Sequence, residues 1–302
     1  MVSGSTALAG LGPGDPTTTA VYADRLVAED GSSDELFAPD GTPHGHTADL
    51  AATADHLGRV GLLARRAEAA RLVEDEGVTY GARPAPPGPD GRPTPRRWSL
   101  DPLPVVLDAE AWRGLEPALL QRAELLDRVM ADLYGPRTLL HRGVIPAEVV
   151  LGHPGFARPA DGLRLPGRHR LLLTAADLGR DAGGQWYVVA DRAQAPSGAG
   201  YAIQARRIVG RVMPGLYRDT RLRRLRTFFD TLRSALQEVA PSTAEAPRVV
   251  LLIPGSTSDT AFDHAFLATL LGYPLVTGED LTVRDGRVYL RSLGRLEPVD
   301  VV

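Results

Sequence analysis

Apolar residues recur at helical spacing over long parts of this chain. The segment from Leu50 to Asp75 reads as a helix. A longer amphipathic helix is predicted from Asp108 to Tyr134, with Trp112, Leu115, Leu119, Leu126, Val129 and Leu133 near one face and Gly135-Pro136 as its stop. From Thr220 to Val239 the residues Leu222, Leu225, Phe229, Leu232 and Leu236 repeat at three- and four-residue steps and predict a third. Between these helices the pattern changes. HRLLLTAADLGRD and QWYVVADR are strand-like runs on either side of Ala182-Gly183-Gly184, which predicts a hairpin, and the loop QAPSGAGY follows. Near the end, RVVLLIP reads as a short buried strand, GSTSDT as a turn, and AFDHAFLATLLG as a helix closed by Gly272. LTVRDGRVYL is a second hairpin whose Asp285-Gly286 pair suits a tight turn. Residues 1–20 and the proline-rich stretch Arg83 to Arg97 carry no periodicity and are expected to be loose. There is no internal repeat.

Composition narrows the function classes. The 302 residues are 43% hydrophobic and 24% charged, as in a soluble globular protein, with a net charge of -3 that gives no electrostatic case for nucleic acid. The chain has no lysine, so all 34 basic residues are arginine and a Schiff-base mechanism is closed to it. It also has no cysteine, which excludes disulfides, thiolate metal sites and thiol nucleophiles within it. No apolar run approaches the roughly 20 residues needed to cross a bilayer, and no leader pattern opens the chain, so a cytoplasmic location and no membrane partner are expected.

The densest chemistry lies between Ala190 and Tyr201. A strand from Trp186 delivers Asp191 and Arg192 to its end, where carboxylates are well placed to hold magnesium through oxygen. Gly198 and Gly200 would let backbone N–H groups approach a phosphate. On these residues alone, a hairpin with a solvated salt bridge explains the same pattern. Asp177, across the hairpin, suits either support for the metal region or a structural hydrogen bond. His264, four residues after Thr260, reads by itself as a cap or packing partner, and His153 as a turn residue. His44 and His46 fall in a polar stretch without carboxylate partners and read as solvated loop. Arg221, Arg223, Arg224 and Arg226 read as the solvated face of a helix, with RNA or phosphate binding as the rival. Trp98, Trp112 and Trp186 read as core anchors.

Several long motifs, in order, resemble the circularly permuted ATP-grasp family, type 2. They are LYGPRTLLHRGVIPAEVV (Leu133 to Val150), GHPGFARP (Gly152 to Pro159), TAADLGRDAGGQWYVVADRAQAPSGAGY (Thr174 to Tyr201) and the segment from Leu251 to Val302. The similarity runs from about Asp34 to the end. It implies an α/β (α+β) fold: a helical region over 34–150, an ATP-grasp core part with the metal and phosphate loop over 151–246, and a Rossmann-like α/β unit over 247–302, after a tail at 1–33. It also implies ATP and Mg2+ as cofactors, and small-molecule or peptide carboxylate and amine substrates joined through an acyl phosphate.

Carried over residue by residue, the resemblance makes Asp191 the metal carboxylate. Arg192 and Arg206 become the phosphate or carboxylate clamps, and Pro196, Ser197, Gly198, Gly200 and Tyr201 the nucleotide loop. Ser258, Asp259, Asp263 and His264 are the expected substrate contacts, and Arg291 stands where the family has a nucleotide-binding lysine. The family's Glu-Asn-Arg appears here as Gln204, Ala205 and Arg206, which removes two further magnesium ligands. The family continues well past Val302, so the chain is expected to be a fragment or reduced member that does not turn over ATP alone. Two readings follow: a ligase module, or a degenerate binding or scaffold protein. The ligase reading expects Asp191 and Arg206 to face a shared cleft.

Overall fold

The computed structural model describes residues 34–38, 40–81, 98–181, 183–219, 222–241, 246–255 and 258–302. The segments expected to be loose, 1–20 and 83–97, lie outside them.

The first predicted helix is α1 (Ala48–Asp75), in which Gly58 (φ 57°) breaks the helical geometry. Thr47 before it is fully buried and donates its hydroxyl to the carbonyls of Leu36 and His44. The second is α2 (Ala109–Leu133), started by Asp108, whose carboxylate accepts the N–H of Ala111 at 2.7 Å. Two short helices follow, α3 (Thr138–His141) and α4 (Ala147–Leu151). Asp132 starts α3 by accepting the N–H groups of Thr138 and Leu139, both at 2.9 Å.

The expected hairpin forms from β1 (Ala175–Arg180) and β2 (Trp186–Arg192), antiparallel, with a bulge that leaves Asp177 opposite Ala190 and Leu178 opposite Val188. The first strand is shorter than its apolar run. Asp127 of α2 takes the N–H groups of Arg170 and Leu171 at 2.6 and 2.8 Å, so these residues are tied to the helix instead of a strand partner.

After the hairpin the chain enters α5 (Ala199–Val212), α6 (Pro214–Asp219) and α7 (Arg226–Glu238). The third predicted helix therefore starts late: residues 222–224 are irregular, and Arg223 and Arg224 lie off its face. The terminal region is the α/β unit expected. β3 (Leu251–Leu252) and β4 (Leu275–Val276) pair in parallel across α8 (Ala261–Leu271). Gly272 closes α8 in the left-handed conformation (φ 73°), and Arg233 donates to the free carbonyls of Leu270 and Leu271. β5 (Leu281–Arg284) and β6 (Arg287–Ser292) turn at Asp285-Gly286, both at positive φ, and β7 (Arg295–Pro298) adds a third antiparallel strand.

Helix α5 is the centre of the packing. Its Tyr201, Ile208, Val209 and Val212 meet Ala69 and Val73 of α1, together with Val78, Met213, Trp98 and Phe262. Its Ile203 joins a second cluster around Phe229, Leu232 and Leu271, which binds α7 to α8. Each large side chain buried in this way contributes about 1.5–3 kcal/mol of transfer free energy. The helix thus joins the N-terminal helical region to the C-terminal α/β unit, and the loop before it follows directly from Asp191 and Arg192.

Candidate functional site

Strand alternation sends Asp191 and Arg192 to opposite faces of the hairpin. Asp191 turns toward α2 and is held by Arg122, whose Nε lies 2.7 and 2.9 Å from its two oxygens and whose Nη2 lies 2.6 Å from Oδ2. This hydrogen-bonded guanidinium keeps the carboxyl below the usual carboxylate range. Arg192 faces the other way and grips Asp177 at 2.7 Å, which lowers the Asp177 carboxyl in the same manner. Asp177 therefore supports Arg192 and not Asp191, correcting the first of the two sequence readings. A groove of about 650 Å³ runs between α2 and the hairpin, lined by Leu115, Leu119, Arg122, Leu178, Trp186 and Val188.

The loop that follows contains Ala195 at φ 41° and Gly198 at φ 121°. It ends on Asp263, which is only 1% exposed. Asp263 Oδ2 accepts the N–H of Gly198 at 2.8 Å, and Oδ1 accepts those of Gly200 and Tyr201 at 2.7 and 3.1 Å. Two expectations change here. The amides of Gly198, Gly200 and Tyr201 are taken by an internal carboxylate, not held open for phosphate. Asp263 in turn is buried against those amides and does not face a substrate. Pro196 is half-buried and Ser197 exposed.

Tyr201 is a packing hub, not a cover. Its ring meets Tyr80, Trp98 and Phe262 at centroid distances of 5.9, 5.4 and 5.6 Å, and its hydroxyl donates to the Thr79 carbonyl at 2.5 Å. Burial, with the Asp263 charge nearby, pushes its phenol up to about 12.

The remaining residues fall into three places. Gln204 is fully buried and donates its amide to Glu76, which also pairs with Arg211 at 2.5 Å. That position therefore works as a bond between α5 and the end of α1. Arg206 donates to the carbonyl of Arg223, and Arg223 reaches Glu116 of α2 at 3.4 Å and lies over the Trp112 ring. Asp191 and Arg206 make no direct contact; both are tied to α2, Asp191 through Arg122 and Arg206 through the Arg223–Glu116 pair. At the start of α8, Ser258 Oγ lies 3.4 Å from Thr260 Oγ1, which is 3.3 Å from His264 Nε2. The Asp259 carbonyl accepts the N–H of Gly81 at 2.9 Å. Arg291 stands apart on β6, donating to the Glu279 carbonyl at 3.2 Å.

Two histidine readings also resolve. His153 Nδ1 accepts the Gly155 N–H at 3.0 Å, as a turn residue does. His46 lies 3.6 Å from Asp108 and stacks on His44, so a carboxylate partner is present after all.

The described residues do not fit magnesium on their own. They contain no group of three His, Asp or Glu side chains that could hold a metal ion. The single expected ligand, Asp191, is closed by Arg122. Among them, no helix is long and apolar enough to cross a membrane.

The mixed helix and sheet fold agrees with comparison against known proteins. The family model for circularly permuted ATP-grasp type 2 matches residues 104–302, and the chain belongs to this family. It is similar to the uncharacterized protein Rv2567 of Mycobacterium tuberculosis (strain ATCC 25618 / H37Rv), 46% identical over 273 residues, covering 89% of this chain and 31% of the relative. It is also 32% identical over 272 residues to the uncharacterized protein sll0335 of Synechocystis sp. (strain ATCC 27184 / PCC 6803 / Kazusa), covering 89% of this chain and 55% of that protein. A third relative, the uncharacterized protein Rv2411c of the same M. tuberculosis strain, is 33% identical over 269 residues, with 89% and 47% covered. The chain thus spans about a third to a half of the length of these relatives.

Proposed function

We propose that this chain forms part of an ATP-dependent carboxylate–amine ligase, in which a carboxylate is activated as an acyl phosphate and an amine displaces the phosphate. The observation that carries this reading is the Asp191–Arg192 pair at the end of β2, running straight into the loop before α5, in a chain of the ATP-grasp family. On this reading Arg192 and Arg206 are the residues that meet phosphate or carboxylate. Both are exposed enough to exchange their present partners, Asp177 and a backbone carbonyl, for an anion. The segment Ser258 to His264, without Asp263, is the substrate-facing part, and the apolar groove beside Arg122 suits a substrate side chain. Magnesium is usually held by one or two carboxylates together with substrate phosphates, and the one carboxylate expected here, Asp191, is already paired with Arg122.

The second reading is a binding or scaffold member without catalysis. The closed Arg122–Asp191 pair and the buried Gln204 favour it. Calorimetric titration with Mg-ATP separates the two. Micromolar binding that is lost in Arg192→Ala and Arg206→Ala supports the ligase reading; absence of binding in the folded wild type overturns it and leaves the scaffold.

A further inference from the structure

We propose that Asp263 is a positioning residue that fills the anion site at the N-terminus of α5 and fixes the loop after Asp191–Arg192 to the start of α8. The start of a helix presents unpaired N–H groups and the positive end of its dipole, an arrangement that suits an anion. In this protein the anion is internal. Both oxygens of Asp263 are used, on the N–H groups of Gly198, Gly200 and Tyr201 at 2.7–3.1 Å. Gly200 is shaped to this contact: a Cβ there would lie 2.8 Å from Asp263 Oδ1 and 3.0 Å from the Asp263 carbonyl oxygen. Gly198, at φ 121°, supplies a turn that an L side chain rarely adopts.

The consequence concerns two segments distant in sequence. Ser258, Asp259 and His264 lie within five residues of Asp263, and Arg192 lies six residues before Gly198. The carboxylate therefore locks the expected substrate-facing segment and the expected phosphate-facing strand end into one unit. It also keeps external phosphate away from the α5 N-terminus, so phosphate recognition falls to guanidinium groups. The functional half of this inference rests on the ligase reading; the clamp itself does not.

Site-resolved amide exchange tests the clamp. In the wild type the amides of Gly198, Gly200 and Tyr201 exchange as slowly as those in the middle of α5, and rapid exchange there overturns the proposal outright. In Asp263→Asn one acceptor becomes a donor, so these three amides exchange about tenfold or more faster while those of α7 hold. In Asp263→Ala, sodium formate restores protection, or restores folding if the variant is unfolded without it, whereas sodium chloride at equal ionic strength does not. Equal effects of the two salts reduce Asp263 to a packing residue and overturn the proposal. Mg-ATP titration adds the functional arm. If the wild type binds and Asp263→Asn binds equally with its loop loosened, the positioning role falls. If the wild type does not bind, the ligase reading falls while amide exchange still decides the clamp.

Discussion

Arg122 and Asp191, sixty-nine positions apart, form a two-pronged ion pair that closes the hairpin onto α2. A carboxylate gripped in this way is unavailable to a cation unless the arginine moves. Replacing Arg122 by Gln removes the charge and most of the fork. The Asp191 carboxyl then titrates closer to its ordinary value of 3.8. Divalent cations added to the variant shift the Asp191 carboxyl resonance more than they do in the wild type. Carboxyl-detected NMR of both proteins, with and without magnesium, checks this. Equal responses would mean that Arg122 does not gate the carboxylate.

Gly200 leaves no room for a side chain. A methyl group there would press on Asp263 Oδ1 and on backbone behind it, and backbone cannot yield as a flexible side chain does. Gly200→Ala is expected to lower stability by about 1–3 kcal/mol, the usual range for overpacking. Chemical denaturation measures the loss. The control is Gly215→Ala, at a glycine where a Cβ meets nothing within 4 Å.

Tyr201 combines a buried ring with one directed hydrogen bond. Tyr201→Phe keeps the ring contacts with Trp98 and Phe262 and deletes the donor to the Thr79 carbonyl. A loss of about 0.5–1.5 kcal/mol is expected, somewhat more if that carbonyl is left dry. The phenol titrates at about 12 in the folded protein against an ordinary 10.0. Its contribution is therefore complete below pH 10 and is lost as the pH rises toward 12. Tyrosinate absorbance at high pH should lose a late-ionising group in Tyr201→Phe, while Tyr273, also raised by burial, keeps its own.

The elements were more legible in the sequence than their partnerships. Periodicity located α2 and the body of α7, Gly272 marked the end of α8, and Asp285-Gly286 located the last hairpin, because these depend on nearest neighbours along the chain. Helix α5 was hidden. Gly198 and Gly200 read as loop, although the helix begins at Ala199, since the carboxylate that starts it comes from Asp263, more than sixty positions away. Arg122 carries no local signal for the same reason: on a polar helix face, nothing nearby in sequence distinguishes it from Arg128, which pairs with Glu124 at i,i+4. Motif matching named Asp191, Asp263 and Gln204 as chemically special without saying what they touch. Each proves to be a point where distant segments are fastened, which a one-dimensional pattern does not encode.

Asp127 offers a test of the attachment between α2 and the chain entering the hairpin. Its carboxylate receives the N–H groups of Arg170 and Leu171 and the ring of His169. Burial pushes its carboxyl up, but the hydrogen bonds from Leu171, His169 and Arg170 outweigh this and hold it below 3.8. A carboxyl depressed by folding stabilises the native state fully above its unfolded value and loses that contribution as the pH falls through the lower folded one. Thermal melts taken from neutrality to below 3.8 should therefore show a steeper acid loss in the wild type than in Asp127→Asn. The variant starts less stable, because its amide accepts through one oxygen only, and the two curves converge in acid. Parallel curves would place the acid sensitivity elsewhere, among carboxylates such as Asp132 and Asp108 that accept backbone N–H groups at helix starts.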